Sequence, residues 1–202
     1  MNTLSDSSIL HWADAWPAGE EPLAILERCL AGDEAAYALL YRHYASYIYR
    51  LAYGLLQHRE DAEEVLQDSF EYAFRRLAHY DPQKAAFKTW LYQIAVSRCR
   101  NKRRRRWLPT LSLSQTEHDE LADPHLPATD EGLLLNEREQ LVWAALRALS
   151  PKLRETALLR YYEGLTYEEI GQILSIPAKT AESRMRLAHK TLYQLLANED
   201  LR

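Results

Sequence analysis

Between Tyr37 and Leu55 the side chains Tyr37, Leu40, Tyr41, Tyr44, Ile48, Leu51, Ala52 and Leu55 recur three or four positions apart. That spacing lines one face of a helix, so the building block of this chain is the amphipathic helix. The same period returns along most of the sequence. A short helix is expected over residues 22–30, with Pro22 in its first turn and Gly32 ending it, and Asp33 stands where the long helix needs an N-cap. A third helix, about 60–79, turns Ala62, Val65, Leu66, Ser69, Phe70, Ala73 and Leu77 inward. It opens on Glu60, Asp61, Glu63 and Glu64, which suit the positive end of a helix dipole. Tyr80-Asp81-Pro82 breaks the pattern, and a fourth helix from near Ala86 buries Phe87, Trp90, Leu91, Ile94 and Ala95.

The stretch from about Trp107 to Gly132 changes character. It holds Pro109, Pro124 and Pro127 among many Ser, Thr and Asp, has no sustained period, and reads as a linker. Helices resume over about 133–149. Ser150-Pro151 reads as a cap and first-turn proline of a helix that runs to Glu163 and stops at Gly164. Thr166-Tyr167-Glu168-Glu169 is a capping box for a short helix ending near Leu174. Ser175-Ile176-Pro177 turns the chain into a last helix, about 178–197. The expected fold is all-α: two small helical domains, 21–106 and 133–202, joined by a flexible linker at 107–132 and preceded by a tail at 1–20. In the tail, Ile9, Trp12 and Trp16 have helical spacing before Pro17 and Gly19, which leaves open a mobile segment or one that docks on the body.

Charge is unevenly spread. The formal net charge of −4 hides seven bases among the nine residues 98–106: Arg98, Arg100, Lys102, Arg103, Arg104, Arg105 and Arg106. Residues 1–40 hold seven acids and one base, and residues 107–140 hold eight acids and one base. One dense basic block on a mildly acidic chain points to a local site for a polyanion. Other classes fall away. The two cysteines, Cys29 and Cys99, lie seventy positions apart and offer neither a disulfide framework nor zinc spacing, and no metal or cofactor is expected. No apolar run approaches a membrane span, and the first residues carry acids where a secretory signal needs bases, so the chain is expected to be cytoplasmic. No phosphate-cradling glycine loop is present, and no nucleophile–base pair or metal set supports an enzyme.

Three constellations carry the chemistry. The capped helix 167–174, the short turn and the helix from 178 make a helix-turn-helix, with Ile170, Ile173, Leu174, Ile176, Ala181, Met185 and Ala188 inward. Lys179, Thr180, Glu182, Ser183, Arg184 and Arg186 then face outward at the start of the second helix, where a recognition helix meets base edges. A hairpin that merely packs has the same apolar pattern; the exposed bases favour DNA. The basic block reads either as a ridge for phosphates or as an intramolecular partner of the acidic linker. Its arginines flank Cys99 and are expected to lower that thiol's pKa. The acids of the third helix, by themselves, are a solvated face.

The segments DEAAYALLYRHY, REDAEEVLQDSF and YDPQKAAFKTWLYQIA, a basic run, a variable linker, then LSPKLRETALLRYYEGLTYEEIGQIL and AKTAESRMRLAHKTL stand in an order that resembles a bacterial sigma factor. The similarity is to the short extracytoplasmic-function (ECF) group of the sigma-70 family and spans about residues 22–197. The resemblance implies a non-enzymatic subunit that binds core RNA polymerase and directs promoter recognition and initiation, with an anti-sigma protein as a further partner. It implies that Asp61, Glu64, Val65, Gln67, Asp68 and Phe70 dock on the polymerase. It implies that Tyr80, Lys84, Lys88, Trp90, Arg98, Arg100, Arg103 and Arg104 meet the minus-ten element, where a base is flipped into a pocket of the 80–87 loop. The helix-turn-helix residues named above would read the minus-thirty-five element. The chain departs from the usual pattern with Ala85 and Ala86 in the loop, Ser97 and Asn101 on the following helix, and Ala181-Glu182 in the recognition helix. Glu182 repels phosphate but accepts from a cytosine amino group. A helix-turn-helix regulator that does not dock on polymerase is the competing reading.

Overall fold

The structure, a computed structural model, describes residues 22–107 and 137–199. The expected tail at 1–20 and nearly all of the expected linker lie outside the described residues. Every regular element described is helical: α1 (Pro22–Leu30), α2 (Glu34–Leu56), α3 (Arg59–Arg76) with a 3₁₀ turn (Leu77–His79), α4 (Phe87–Trp107), α5 (Glu137–Ala148), α6 (Pro151–Tyr161), α7 (Tyr167–Leu174) and α8 (Ala178–Glu199).

The first four helices pack as one group. Gly32, at φ +87°, turns the chain out of α1, and the Asp33 side chain accepts from the Ala35 amide at 2.9 Å to cap α2. Arg28 donates to the same carboxylate at 2.8 Å and holds it below the ordinary range of an aspartate, with the Ala35 amide adding to the effect. α2 ends at Gln57, which takes the left-handed conformation at φ 50° and donates its amide to Tyr53 O. His58 then caps α3, its Nδ1 accepting from the Asp61 amide at 3.3 Å. Leu40, Ile48, Leu51 and Leu55 of α2 meet Ala62, Val65, Phe70 and Ala73 of α3, and Leu91, Tyr92, Ala95 and Val96 of α4 close the group, all of them buried. Removing side chains of this size from water contributes about 1.5–3 kcal/mol apiece. Tyr41, which shares the α2 period, is at the edge of this contact and stays exposed, with its ring 4.8 Å from that of Phe70.

In the second group a buried cation takes the place of a cap. Arg154 of α6 is 2% exposed and donates to the carbonyls of Leu146 (2.9 Å), Arg147 (2.7 Å) and Leu149 (3.1 Å), at and just beyond the C-terminal end of α5, and the Leu146 carbonyl also accepts from the Leu149 amide at 3.2 Å. Ser150 precedes Pro151 as expected, but its side chain makes no capping hydrogen bond. The capping box of α7 is complete: the Glu169 amide donates to Thr166 Oγ1 at 3.2 Å and the Thr166 amide to Glu169 Oε2 at 2.8 Å. Ser175, at φ 58°, ends α7. A Cβ on Gly171 would lie 2.7 Å from Ile176 O, so only glycine lets the turn fold back this closely. The two groups touch, α4 against α7 and α2 against α6.

Candidate nucleic-acid interfaces and docking face

Ile170, Ile173, Leu174, Ala181, Met185 and Ala188 are all buried where α7 crosses α8, and Ile176 packs against them. That packing fixes which side of α8 faces out. Lys179, Glu182, Ser183 and Arg186, at intervals of three, one and three, are exposed along one stripe of its first two turns. Thr180 and Arg184 are half-buried on its flank. Ser183 donates its hydroxyl to Lys179 O at 2.8 Å, so it is engaged with its own helix. The stripe thus presents a carboxylate between two cations, a set able to accept from a cytosine amino group while its neighbours hold phosphate or guanine.

The cations of α4 are placed differently. Arg100 makes a two-pronged pair with Glu155 of α6, Nε to Oε1 at 3.0 Å and Nη2 to Oε2 at 2.7 Å, and Arg103 lies 3.8 Å from the same carboxylate. Lys102 bonds Glu64 and lies 3.4 Å from Asp61. Partial burial works to lower the Lys102 pKa, but the Glu64 bond and the Asp61 charge outweigh it and raise it. Arg98 lies over the Tyr72 ring at 4.8 Å. Lys88 lies over the rings of Tyr47 (5.4 Å) and Tyr92 (5.9 Å). Arg104 is exposed. Counter-charges for the described part of the block therefore come from α3 and α6. The expected lowering of the Cys99 thiol pKa does not occur: burial pushes it up, the Glu155 carboxylate adds to this, and Arg103 and Arg100 offset it only in part. Both cysteines are buried.

Before α4, Asp81 accepts from the Gln83 amide at 3.0 Å, Lys84 lies 3.3 Å from Asp81, and the Tyr80 hydroxyl donates to Ala85 O at 2.9 Å. These bonds pin the 80–86 loop over an aromatic cluster in which Tyr80 is 5.2 Å from Trp90 and 5.6 Å from Phe87. Tyr80 and Trp90 are half-buried, so each keeps an open edge.

On α3 the six expected docking residues divide. Glu64, Gln67 and Asp68 are exposed. Val65 and Phe70 are buried in the core, and Asp61 is buried beside Lys102. A groove between α2 and α3 is lined by Tyr41, Leu66, Phe70 and Phe74 and rimmed by Glu63, Gln67 and Glu71. Tyr41 and Leu66 escape sequence reasoning as groove residues, because their period assigns them to the core, and Phe74 escapes it because it stands outside the inward set. Glu155 escapes it too, since nothing local marks it.

No group of three His, Cys, Asp or Glu side chains among the described residues is placed to hold a metal ion. No helix there is long and apolar enough to cross a membrane.

Comparison with known proteins matches residues 40–108 to the family described as Sigma-70 region 2 and residues 139–192 to Sigma-70, region 4. The chain is similar to the ECF RNA polymerase sigma factor SigE of Mycolicibacterium smegmatis, 32% identical over 88% of this chain and 69% of the relative. It is similar to the ECF RNA polymerase sigma-E factor of Haemophilus influenzae, 31% identical over 84% of this chain and 92% of the relative. In structure it resembles the sigma factor RpoE of Bartonella quintana, solved in complex with the anti-sigma factor NepR (TM-score 0.62, 21% identity, 80% of this chain and 96% of that one).

Proposed function

The chain belongs to the ECF sigma factors of the sigma-70 family, and from that premise we propose how its surfaces divide the work of a subunit that binds core RNA polymerase and directs promoter recognition and initiation. The observation that carries this reading is the presence in one chain of a region 2 match, a region 4 match and a helix-turn-helix with an exposed, charged stripe. The region 2 match is what a helix-turn-helix regulator without polymerase docking would lack.

We assign minus-ten recognition and polymerase docking to residues 21–106, minus-thirty-five recognition to 133–202, and the connection to 107–132. In the first part the exposed Glu64, Gln67 and Asp68 of α3 meet the polymerase, with Asp61, Val65 and Phe70 holding that face in place from within. The groove beside them, apolar with an acidic rim, suits a partner helix that brings apolar side chains and cations. Tyr80 and Trp90, 5.2 Å apart, are suited to stack an unpaired base, and Lys84 of the same loop and Lys88 of α4 supply cations for its phosphates. Arg98, Arg100, Arg103 and Arg104 extend this set along α4 toward duplex phosphates. In the second part Lys179, Glu182, Ser183 and Arg186 enter the major groove, and Thr180 and Arg184 meet its wall. No catalysis is assigned to this chain; RNA synthesis belongs to the polymerase. It acts in the cytoplasm, and an anti-sigma protein is the natural restraint on it.

Core polymerase mixed with the full chain tests the docking assignment. Charge reversal at Glu64 and Asp68 to Lys is expected to weaken assembly while leaving helicity intact. Unchanged core affinity would remove α3 from the interface.

A further inference from the structure

We propose that Glu155 is an internal stand-in for a DNA backbone phosphate, occupying the Arg100–Arg103 fork of α4 and closing the free chain over its own downstream reader. The inference rests on the reading above only in taking α4 to be a DNA-facing helix.

Both oxygens of Glu155 are used on one guanidinium, at 3.0 and 2.7 Å, with a second guanidinium nitrogen 3.8 Å away. That fork-to-fork arrangement is how arginine takes a phosphate, and the same two donors cannot serve a carboxylate and a phosphate together. Glu155 is 2% exposed, whereas the Arg100 side chain is 40% exposed. The acid depends on the pair: without the cations it would be a buried, uncompensated charge. Arginine does not depend on it in the same way, because solvent or DNA can replace the carboxylate.

The surroundings fit a closure. Leu158, one turn along α6, packs on Gly54 of α2 so tightly that a Cβ there would lie 2.9 Å from both of its methyl carbons. Arg154 reaches Leu55 O at 3.4 Å, the Tyr92 hydroxyl bonds Glu163, and Gln93 donates to Gln172 O at 2.9 Å. On α4, Tyr92, Val96, Cys99 and Arg103 follow at four, three and four residues and so share the side turned to α6 and α7. The α8 stripe remains exposed in this arrangement. Closure therefore occupies Arg100 and Arg103 of one reader and spares the other.

Cys99 is a native reporter, since it lies on the covered side and is buried. Its alkylation rate in the full chain, mapped by mass spectrometry, is measured alongside binding of non-promoter duplex DNA at low salt. Glu155→Gln removes the charge, and Gly54→Leu wedges the joint while leaving the residues of the ion pair unchanged. If the closed form holds about nine-tenths of the molecules, each variant should raise both readouts about tenfold. The swap Arg100→Glu with Glu155→Arg should restore slow alkylation, an outcome that a simple packing role for Glu155 would not produce. Circular dichroism confirms that the variants stay helical. Alkylation equal in wild type, Glu155→Gln and Gly54→Leu would overturn the proposal, as would a swap that reacts like the single variant. Promoter-directed transcription with core polymerase is run in parallel: its loss in wild type sinks the sigma reading, whereas its retention with unchanged alkylation sinks only the closure.

Discussion

α4 and α8 are both helices of more than twenty residues, and both carry cations suited to DNA. In the structure their electrostatic states are opposite. On α4, Arg100 and Arg103 face Glu155, Lys102 faces Glu64 and Asp61, and Arg98 covers Tyr72. On α8, Lys179 and Arg186 stand exposed with Glu182 between them. The contrast teaches that a basic run is a supply of charge whose availability is set by the rest of the fold. For α4 the decisive acid is 55 positions away on α6. For α8 the buried side is filled by Ala181, Met185 and Ala188, so its charged stripe stays exposed among the described residues.

Removing the platform that holds α8 should have the largest effect. Arg154→Leu would take the guanidinium donor from the carbonyls of Leu146, Arg147 and Leu149, of which Leu146 keeps the Leu149 amide. We expect a loss of about 3–5 kcal/mol in urea unfolding, borne mainly by α5–α8. Arg104→Ala on the exposed side of α4 should stay within about 0.5 kcal/mol in the same assay.

Specificity sharpens the contrast next. Glu182→Gln should relax discrimination at one base pair of the upstream element by about 1–3 kcal/mol, read from binding to a randomised site. Unchanged base preference would mean that Glu182 sits beside the groove and reads nothing. Salt dependence gives a smaller effect. In the free chain Arg186→Ala should reduce the slope of log affinity against log salt by about one unit, whereas Arg100→Ala should change it by less until polymerase is bound. Equal slopes for the two variants in the free chain would erase the difference between the helices.

The smallest effect is a control away from both readers. Arg28 and the Ala35 amide hold Asp33 below its ordinary value of 3.8. A lowered carboxyl adds stability that is present above that value and is lost as pH falls through the depressed one. Amide exchange at the α1–α2 corner should accelerate only on acidification below the ordinary carboxylate range, and Asp33→Asn should remove that dependence.

Much of this molecule is legible without coordinates because its order is local. The α7 capping box needs only Thr166 and Glu169, and the inward set from Ile170 to Ala188 follows from a 3.6-residue period. The division of α8 into an exposed stripe and a flank is nearly legible, once Ala181, Met185 and Ala188 define the buried side. What escaped depends on distance in the chain. The left-handed end of α2 falls on Gln57, a residue type that does not announce it. Ser150 looked like a cap, but the carbonyls beside it are served from inside by Arg154. Val65 and Phe70 are inward by their period and are buried, whereas the burial of Asp61 beside Lys102 emerges only when α4 packs on α3. Cys99 was judged by its neighbours in sequence, whereas burial and Glu155 decide its chemistry.

The central claim is that one chain docks on polymerase and reads two promoter elements with two different helices. Transcription from a library of genomic fragments, by core polymerase reconstituted with the full chain, tests it most directly. The account predicts start sites that share two motifs at fixed spacing, with Glu182→Gln altering only the upstream one and substitutions at Tyr80 and Trp90 weakening selection of the downstream one. Start sites no more selective than those of core polymerase alone, or sharing the upstream motif only, would contradict it.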